Sequence, residues 1–270
     1  MSAPCYQKFV EETTDGTTAD VVVPREGLGS SDIANTYVPW LLEVADGGVD
    51  DRIGAALDGP GGTCIVQPPA KAGGLDILLQ MRQFHSIFAP NIGGNDNLTA
   101  YGFTTVPAND TKVVPHTLTR AGVAVVPNLM SAHLRERPTA AVNWAVIAYD
   151  DASITFKNWH ATEDISVAYF LHYCHSIEAA LNSGPIDITL AGAATVTEAH
   201  GITDPNTGEG LVPDFFCGFP WDDGGLSEPV GVPILEVGDI DDTNLALTGS
   251  GATAAMVFRM FAQYTHSVQQ

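Results

Sequence analysis

Apolar and polar positions alternate with a period of two along much of this chain, the pattern of strands with distinct faces. It is clearest within residues 152–184. Ile165, Val167, Tyr169, Leu171 and Tyr173 fall on one face, and Ala168, Phe170, His172 and Cys174 on the other. Both faces are largely apolar, so this long strand is expected to be covered on both sides. Before it, Ile154 and Phe156 alternate with Thr155 and Lys157; after it, 176–181 predicts a short helix stopped by Asn182-Ser-Gly-Pro185. The closing strand, 253–266, places Met256, Phe258, Met260 and Tyr264 on one face and Arg259, Gln263 and Thr265 on the other. It is the expected pairing partner of the 152–184 stretch.

The other segments follow the same logic. Val21-Val-Val23 before Pro24 predicts an edge strand, and 37–44, interrupted by Pro39, an edge or bent one. Strands are also expected at 63–67, 99–106, 113–126, 142–149, 186–190 and 194–198, with loops at 46–62 and 127–138. Two segments favour helix. Residues 74–89 place Ile77, Met81, Phe84 and Phe88 on one helical face before Pro90, and a helical turn is expected at 51–57. No internal repeat is visible.

Gly and Pro number 27 and 17 and are spread along the 270 residues, which favours many short elements joined by turns. The expected fold is mainly β: an antiparallel sandwich, jelly-roll-like, with one or two short helices and long loops. The expected division is an extended arm at 1–35, a sandwich core at 36–202, an irregular insertion or projection at 203–251 and a closing strand at 252–270.

Thirty-two acidic residues against 11 basic ones give a net charge of −21. Phosphate contacts need clustered Lys and Arg, so direct nucleic-acid binding is not expected. No basic segment followed by an apolar one marks a signal peptide, and no apolar run is long enough to be a transmembrane helix. Cys5, Cys64, Cys174 and Cys217 are far apart, lack zinc-ligand spacing and are expected to be reduced. His172 and His175 would point to opposite faces of a strand and share no ion. HExxH, GxSxG and the phosphate-binding Gly patterns are absent from the sequence. Asp204-Pro-Asn-Thr-Gly-Glu-Gly210 resembles part of a calcium loop, but no Glu follows five residues beyond Gly210 to complete it and a plain turn is the better reading. Together with Asp222, Asp223, Asp239, Asp241 and Asp242, Asp204 forms the candidate set for Ca²⁺ held at subunit contacts.

The stretches ITFKNW (154–159) and EDISVAYFLHYCHSIEAALNSG (163–184) resemble the late strands of single jelly-roll capsid proteins of small icosahedral viruses. ATAAMVFRMFAQYTHSV (252–268) is similar to that family's last strand. The resemblance implies a non-enzymatic structural protein that assembles with copies of itself into a virion shell, with other virion proteins as further partners. Unlike many such proteins, this chain has no basic arm: its first 60 residues hold only Lys8, Arg25 and Arg52. The alternative is a β-rich carbohydrate-active enzyme or ligand-binding module with an acidic cleft.

Overall fold

The computed structural model describes residues 6–13, 15–24, 37–43, 54–57, 63–67, 76–83, 97–139, 143–174, 181–190, 194–222, 235–249 and 256–264. Among them the regular structure is all strand, and the mainly-β sandwich expectation holds. In chain order the strands are β1 Tyr6–Thr13, β2 Val21–Pro24, β3 Tyr37–Glu43, β4 Gly54–Leu57, β5 Thr63–Gln67 and β6 Asp76–Gln83. Then come β7 Thr99–Val106, β8 Thr111–Pro115, β9 Thr119–Arg120, β10 Val123–Ala124, β11 Leu129–Leu134, β12 Trp144–Tyr149, β13 Ser153–Asn158 and β14 Ile165–His172. The last six are β15 Ile186–Leu190, β16 Thr195–Ala199, β17 Phe215–Trp221, β18 Leu235–Ile240, β19 Asn244–Gly249 and β20 Met256–Gln263.

Strand order reveals an internal repeat that the sequence pattern does not show. Three antiparallel triplets run β1-β6-β3, β7-β14-β11 and β15-β20-β17; three more run β2-β5-β4, β8-β13-β12 and β16-β19-β18. Each repeat is therefore one six-stranded unit in which strands 1, 6 and 3 form one sheet and strands 2, 5 and 4 the other. The hairpin β9–β10 is an insertion in the second repeat. The details also recur. Tyr173 N–H donates to Leu98 O in the second repeat as Tyr264 N–H donates to Leu181 O in the third, both at 2.9 Å. A register shift interrupts β12 between Val146 and Ala148, and β18 between Val237 and Ile240. In the first repeat Pro24 ends β2 as Pro115 ends β8, and Val66 is fully buried in β5 as Phe156 is in β13.

Neighbouring repeats meet third strand to fourth. β17 pairs with β12 through a single parallel step, Val146 opposite Trp221, so their sheets join into one of six strands. β11 likewise lies against β4, and β3 against β18. Each repeat thus touches both others, and the three close into a ring with approximate three-fold character. β11 also lies against β3 and β17, which brings the third strands together at the centre.

The core follows from this closure. In the second repeat Val167 and Leu171, both fully buried, face their own second sheet, with Tyr169 of the same face packing its ring on Phe156 at 6.0 Å. Phe170, on the opposite face, is 2 % exposed. In the third repeat, Phe261 lies opposite Cys217 on one face of the sheet, and the Cys217 thiol donates to Met130 O of β11 at 3.1 Å. Both β14 and β20 are thus covered on two sides, as expected for β14. Burying each such aromatic ring stabilises the fold by roughly 1.5–3 kcal/mol.

Several expectations are corrected. Residues 76–83 of the expected helix form β6, paired along its length with β1 and β3. A central strand reads as a continuous apolar run, which here also satisfied a helical spacing. Residues 54–57 form β4 rather than a helical turn. The expected strand 113–126 breaks after Pro115, and its remainder turns through Ala121 and Gly122, both at positive φ, into β9–β10. Residues 129–134, expected as loop, form β11, whose two-sided burial erases alternation. β20 does not pair with β14; the two are equivalent central strands of different repeats. Residues 6–13 and 21–24 of the expected arm supply β1 and β2, and 203–251 supplies β17, β18 and β19. The helix expected at 176–181 lies outside the described residues except for Leu181.

Two glycines that flank the central strands of their sheets, Gly102 in β7 beside β14 and Gly218 in β17 beside β20, give a test of this packing. A Cβ at Gly218 would fall on the backbone carbonyl of Arg259, whereas one at Gly102 would meet only the movable hydroxyl end of Tyr169. Gly218→Ala is expected to cost about 1–3 kcal/mol, and Gly102→Ala less. Urea unfolding of the two variants checks the order.

Candidate functional site

Polar chemistry gathers in two places among the described residues, and exposed apolar surface in a third. The first is the seam where β17 meets β12. Arg259 of β20 stands directly opposite Asp187 of β15 and donates two hydrogen bonds to it, each 2.6 Å. Its third nitrogen donates to the Tyr149 hydroxyl at 3.2 Å, and its guanidinium lies 3.8 Å over the Trp221 ring. Tyr149 meets Trp221 and Phe219 edge-on. Burial opposes the charge on Arg259, but the Asp187 carboxylate and the Tyr149 hydroxyl together outweigh it and raise its pKa above the ordinary guanidinium range. One side chain thereby ties β15, β20, β17 and β12 across a junction whose own ladder is one residue pair long. The cluster is a clamp: its charges, hydroxyl and rings are occupied by one another.

The second place is a pair of matching hairpin turns. Asp150 Oδ1 accepts the Ala152 and Ser153 N–H groups at 2.8 and 2.7 Å; Asp241 Oδ1 accepts those of Thr243 and Asn244 at 2.7 and 2.6 Å. A histidine docks on each turn. His116 Nε2 bonds Asp150 O at 3.0 Å and His200 Nε2 bonds Asp241 O at 3.1 Å. Each Nδ1 accepts the N–H two residues on, from Leu118 and Ile202. These histidines are structural pegs between strands 2 and 5 of their repeats. Backbone donors hold both aspartates below the ordinary 3.8: chiefly Ala152 then Ser153 at Asp150, and Asn244 then Thr243 at Asp241.

Of the calcium candidates, Asp204 closes a turn by accepting the Asn206 N–H at 2.7 Å. Gly210, at the end of that turn, lies against the Asp242 backbone, so Asp204, Asp241 and Asp242 share one corner of the third repeat. Asp222 is separate, 4 % exposed, with its N–H on Val146 O. Asp223 lies outside the described residues, as does the side chain of Asp239. Among the described residues no three of His, Cys, Asp and Glu converge as a metal-binding group. His172 bonds Thr99 Oγ1 at 3.0 Å, and Cys174 and Cys217 are buried free thiols. Cys5 and the Cys64 side chain fall outside the described residues. Among these residues no helix is long and apolar enough to cross a membrane.

The third place is a surface. Among the described residues seven large apolar side chains are exposed, and five of them, Tyr101, Phe103, Val113, Val123 and Val126, lie in β7–β10 and the turns around them. β8 lies beside β7, and Asn97, just before β7, is bridged to Thr119 of β9. These elements therefore lie along one edge of the second repeat, with Tyr101 and Phe103 on the face of Phe170 and Val113 on the outward face of the other sheet. Sequence reasoning missed it by reading 113–126 as one regular strand.

Compared with known proteins, the chain matches no family model and no curated sequence.

Three substitutions test the turn and the clamp. At neutral pH Asp241→Asn keeps an acceptor but loses the charge and should lower Tm slightly, whereas Asp241→Ala should lower it more. Because the folded pKa is depressed, the carboxylate's contribution is complete above the unfolded value and fades as pH falls below about 3.8. The Tm gap between wild type and Asp241→Ala should therefore close in that window. Arg259→Ala should cost about 1–2 kcal/mol, after allowing for solvent around the half-exposed Asp187. Thermal melts of the three variants at several pH values give the comparison.

Proposed function

We propose that the chain is a structural protein that assembles with copies of itself into a shell, as the capsid resemblance implies. The observation that carries this reading is the exposed apolar side around 101–126 on a chain of net charge −21. Apolar side chains exposed along one edge of a strongly acidic chain mark a contact area. The ring of three sandwiches adds support: a broad body of approximate three-fold shape presents an outer edge in each of three directions, which suits packing beside neighbours in a closed lattice. The competing reading, a carbohydrate-active enzyme or ligand-binding module, calls for polar groups open to a ligand; the Arg259 cluster commits its groups to its own neighbours.

Like-charge repulsion opposes such assembly unless it is screened or bridged. The turn closed by Asp204 ends against the Asp242 backbone, and carboxylates there and on adjoining copies would share Ca²⁺. Asp222 is buried away from it. Lower pH protonates ordinary carboxylates first and tightens association, while Asp15, Asp150 and Asp241, held below the ordinary value by hydrogen bonds, stay charged to lower pH.

Electron microscopy and light scattering of purified protein test the reading. Particles much larger than a small oligomer are expected, loosening when EDTA is added at low salt and neutral pH. Constant particle size under chelation would remove cation bridging and leave apolar contacts. A monomer under every condition would overturn the assembly reading itself.

A further inference from the structure

We propose that the outer edge of β7, unpaired among the described residues, is a self-pairing contact, where a second copy adds its own β7 antiparallel about a two-fold axis. This deepens the assembly reading and rests on it in taking the partner to be another copy of this chain.

The argument begins with hydrogen-bond phase. Tyr173 N–H donates to Leu98 O, and the register with β14 runs unbroken from Thr99–His172 to Val106–Ile165. In an antiparallel pair, alternate residues bond inward. The even residues Ala100, Gly102 and Thr104 thus bond to β14, and the N–H and C=O groups of Thr99, Tyr101, Phe103 and Thr105 point away from the sheet. Tyr101 and Phe103 are 43 % and 64 % exposed, and Thr105 is exposed.

The three-fold repeat supplies an internal comparison. β1, β7 and β15 occupy the same edge position in their repeats. β1 carries Lys8, Glu11 and Glu12. β15 follows Gly184-Pro185, with Gly184 at positive φ, and carries Asp187 locked to Arg259. Charges, prolines and kinks of this kind are how sheet edges are kept from pairing. The adjoining edge of β8 is guarded too, by Lys112, by Pro115 and by Asp110 Oδ1, which takes the Thr111 N–H at 2.7 Å. Thr99–Val106 contains neither charge nor proline and has no bulge against β14. On a chain of net −21 it is the equivalent edge with the least repulsion toward a second copy.

Its sequence also matches itself. A two-fold through Gly102 pairs Tyr101 with Phe103 of the other copy twice, and Thr99 with Thr105 twice, all through outward-bonding residues. Aromatic–aromatic and Thr–Thr cross-strand pairs are favourable ones. Arg135, 4.2 Å over Phe103, would then have the incoming Tyr101 ring beside it, a cation next to an aromatic face. Gly102 meets Gly102 at the axis without steric conflict. One strand edge is small beside the roughly 1,200–2,000 Å² of a stable interface, so alone it gives a dimer that dissociates on dilution.

Sedimentation velocity over a concentration series tests this with three variants of the full chain. Phe103→Lys places two charges in the contact. Phe103→Pro deletes an outward N–H and leaves every bond to β14 intact. Val113→Lys alters the neighbouring edge as a control. Wild type and Val113→Lys are expected to show a reversible dimer, with dimerisation weakened at least tenfold in both Phe103 variants and circular dichroism unchanged in Phe103→Lys. A folded Phe103→Lys that dimerises as wild type does would overturn the proposal, as would a wild type with no dimer at any concentration. Electron microscopy separates this from the shell reading. Particles of the same size from wild type and Phe103→Lys overturn β7 pairing and leave assembly standing. A wild-type dimer that stops at two copies and is lost in Phe103→Lys supports β7 pairing and removes the shell.

Discussion

Strands that are apolar on both faces set the terms for this chain. β14 and β20 are each the middle strand of an antiparallel triplet, and a single sandwich covers only one side of such a triplet. Phe170 and Phe261, on the second side, are nevertheless almost completely buried. The cover comes from the neighbouring repeats, as the hydrogen bond from Cys217 to Met130 O shows directly for the third repeat. Closure of the ring follows from this need: each repeat lends its third strand to one neighbour and its fourth to the other, and an isolated repeat would leave an apolar face in water.

The joints are thin in backbone terms and are strengthened by side chains. Val146 and Trp221 make the only paired step between β12 and β17, and beside it the Asp222 N–H bonds Val146 O at 3.1 Å. The Arg259 clamp spans the same place. The equivalent location in the second repeat has Phe103, Ala168 and Arg135 where the third has Asp187, Arg259 and Trp221, as the strand registers align them. Both keep an arginine on an aromatic ring, with the residues exchanged between strands. In the third repeat the exchange seals an edge with an ion pair; in the second it leaves aromatic side chains facing solvent. One architecture has diverged into a guarded edge and an open one.

Much of the fold was legible from residues alone. β5 and β7 match their expected bounds, β2 and β3 are edge strands as Pro24 and Pro39 suggested, and the double-sided character of β14 was plain from its alternation. What misled was two-sided burial elsewhere. β6 and β11 lost the period-two signal and read as helix and loop. The repeat was hidden because identity survives at only a few positions. These include the Asp150-Asp151 and Asp241-Asp242 turns, His116 and His200, Phe170 and Phe261, and Tyr173 and Tyr264. The Asp-Asp pairs, each with a His-x-Leu or His-x-Ile upstream, were the available clue. Only Asp241-Asp242 drew attention, as candidate ligands, whereas the structure uses both pairs to fold hairpins. The apolar side at 101–126 was obscured because Pro115 and the Ala121-Gly122 turn divide what looked like one strand.

Mutual cover between repeats is the central claim, and native-state amide hydrogen exchange in increasing denaturant tests it most directly. The amides of β14 and β20 belong to different repeats but should share one opening free energy and one denaturant dependence, since neither sheet survives without its neighbour. Two separate opening reactions, with β20 protected while β14 exchanges or the reverse, would show the repeats to be independent sandwiches and would contradict the account.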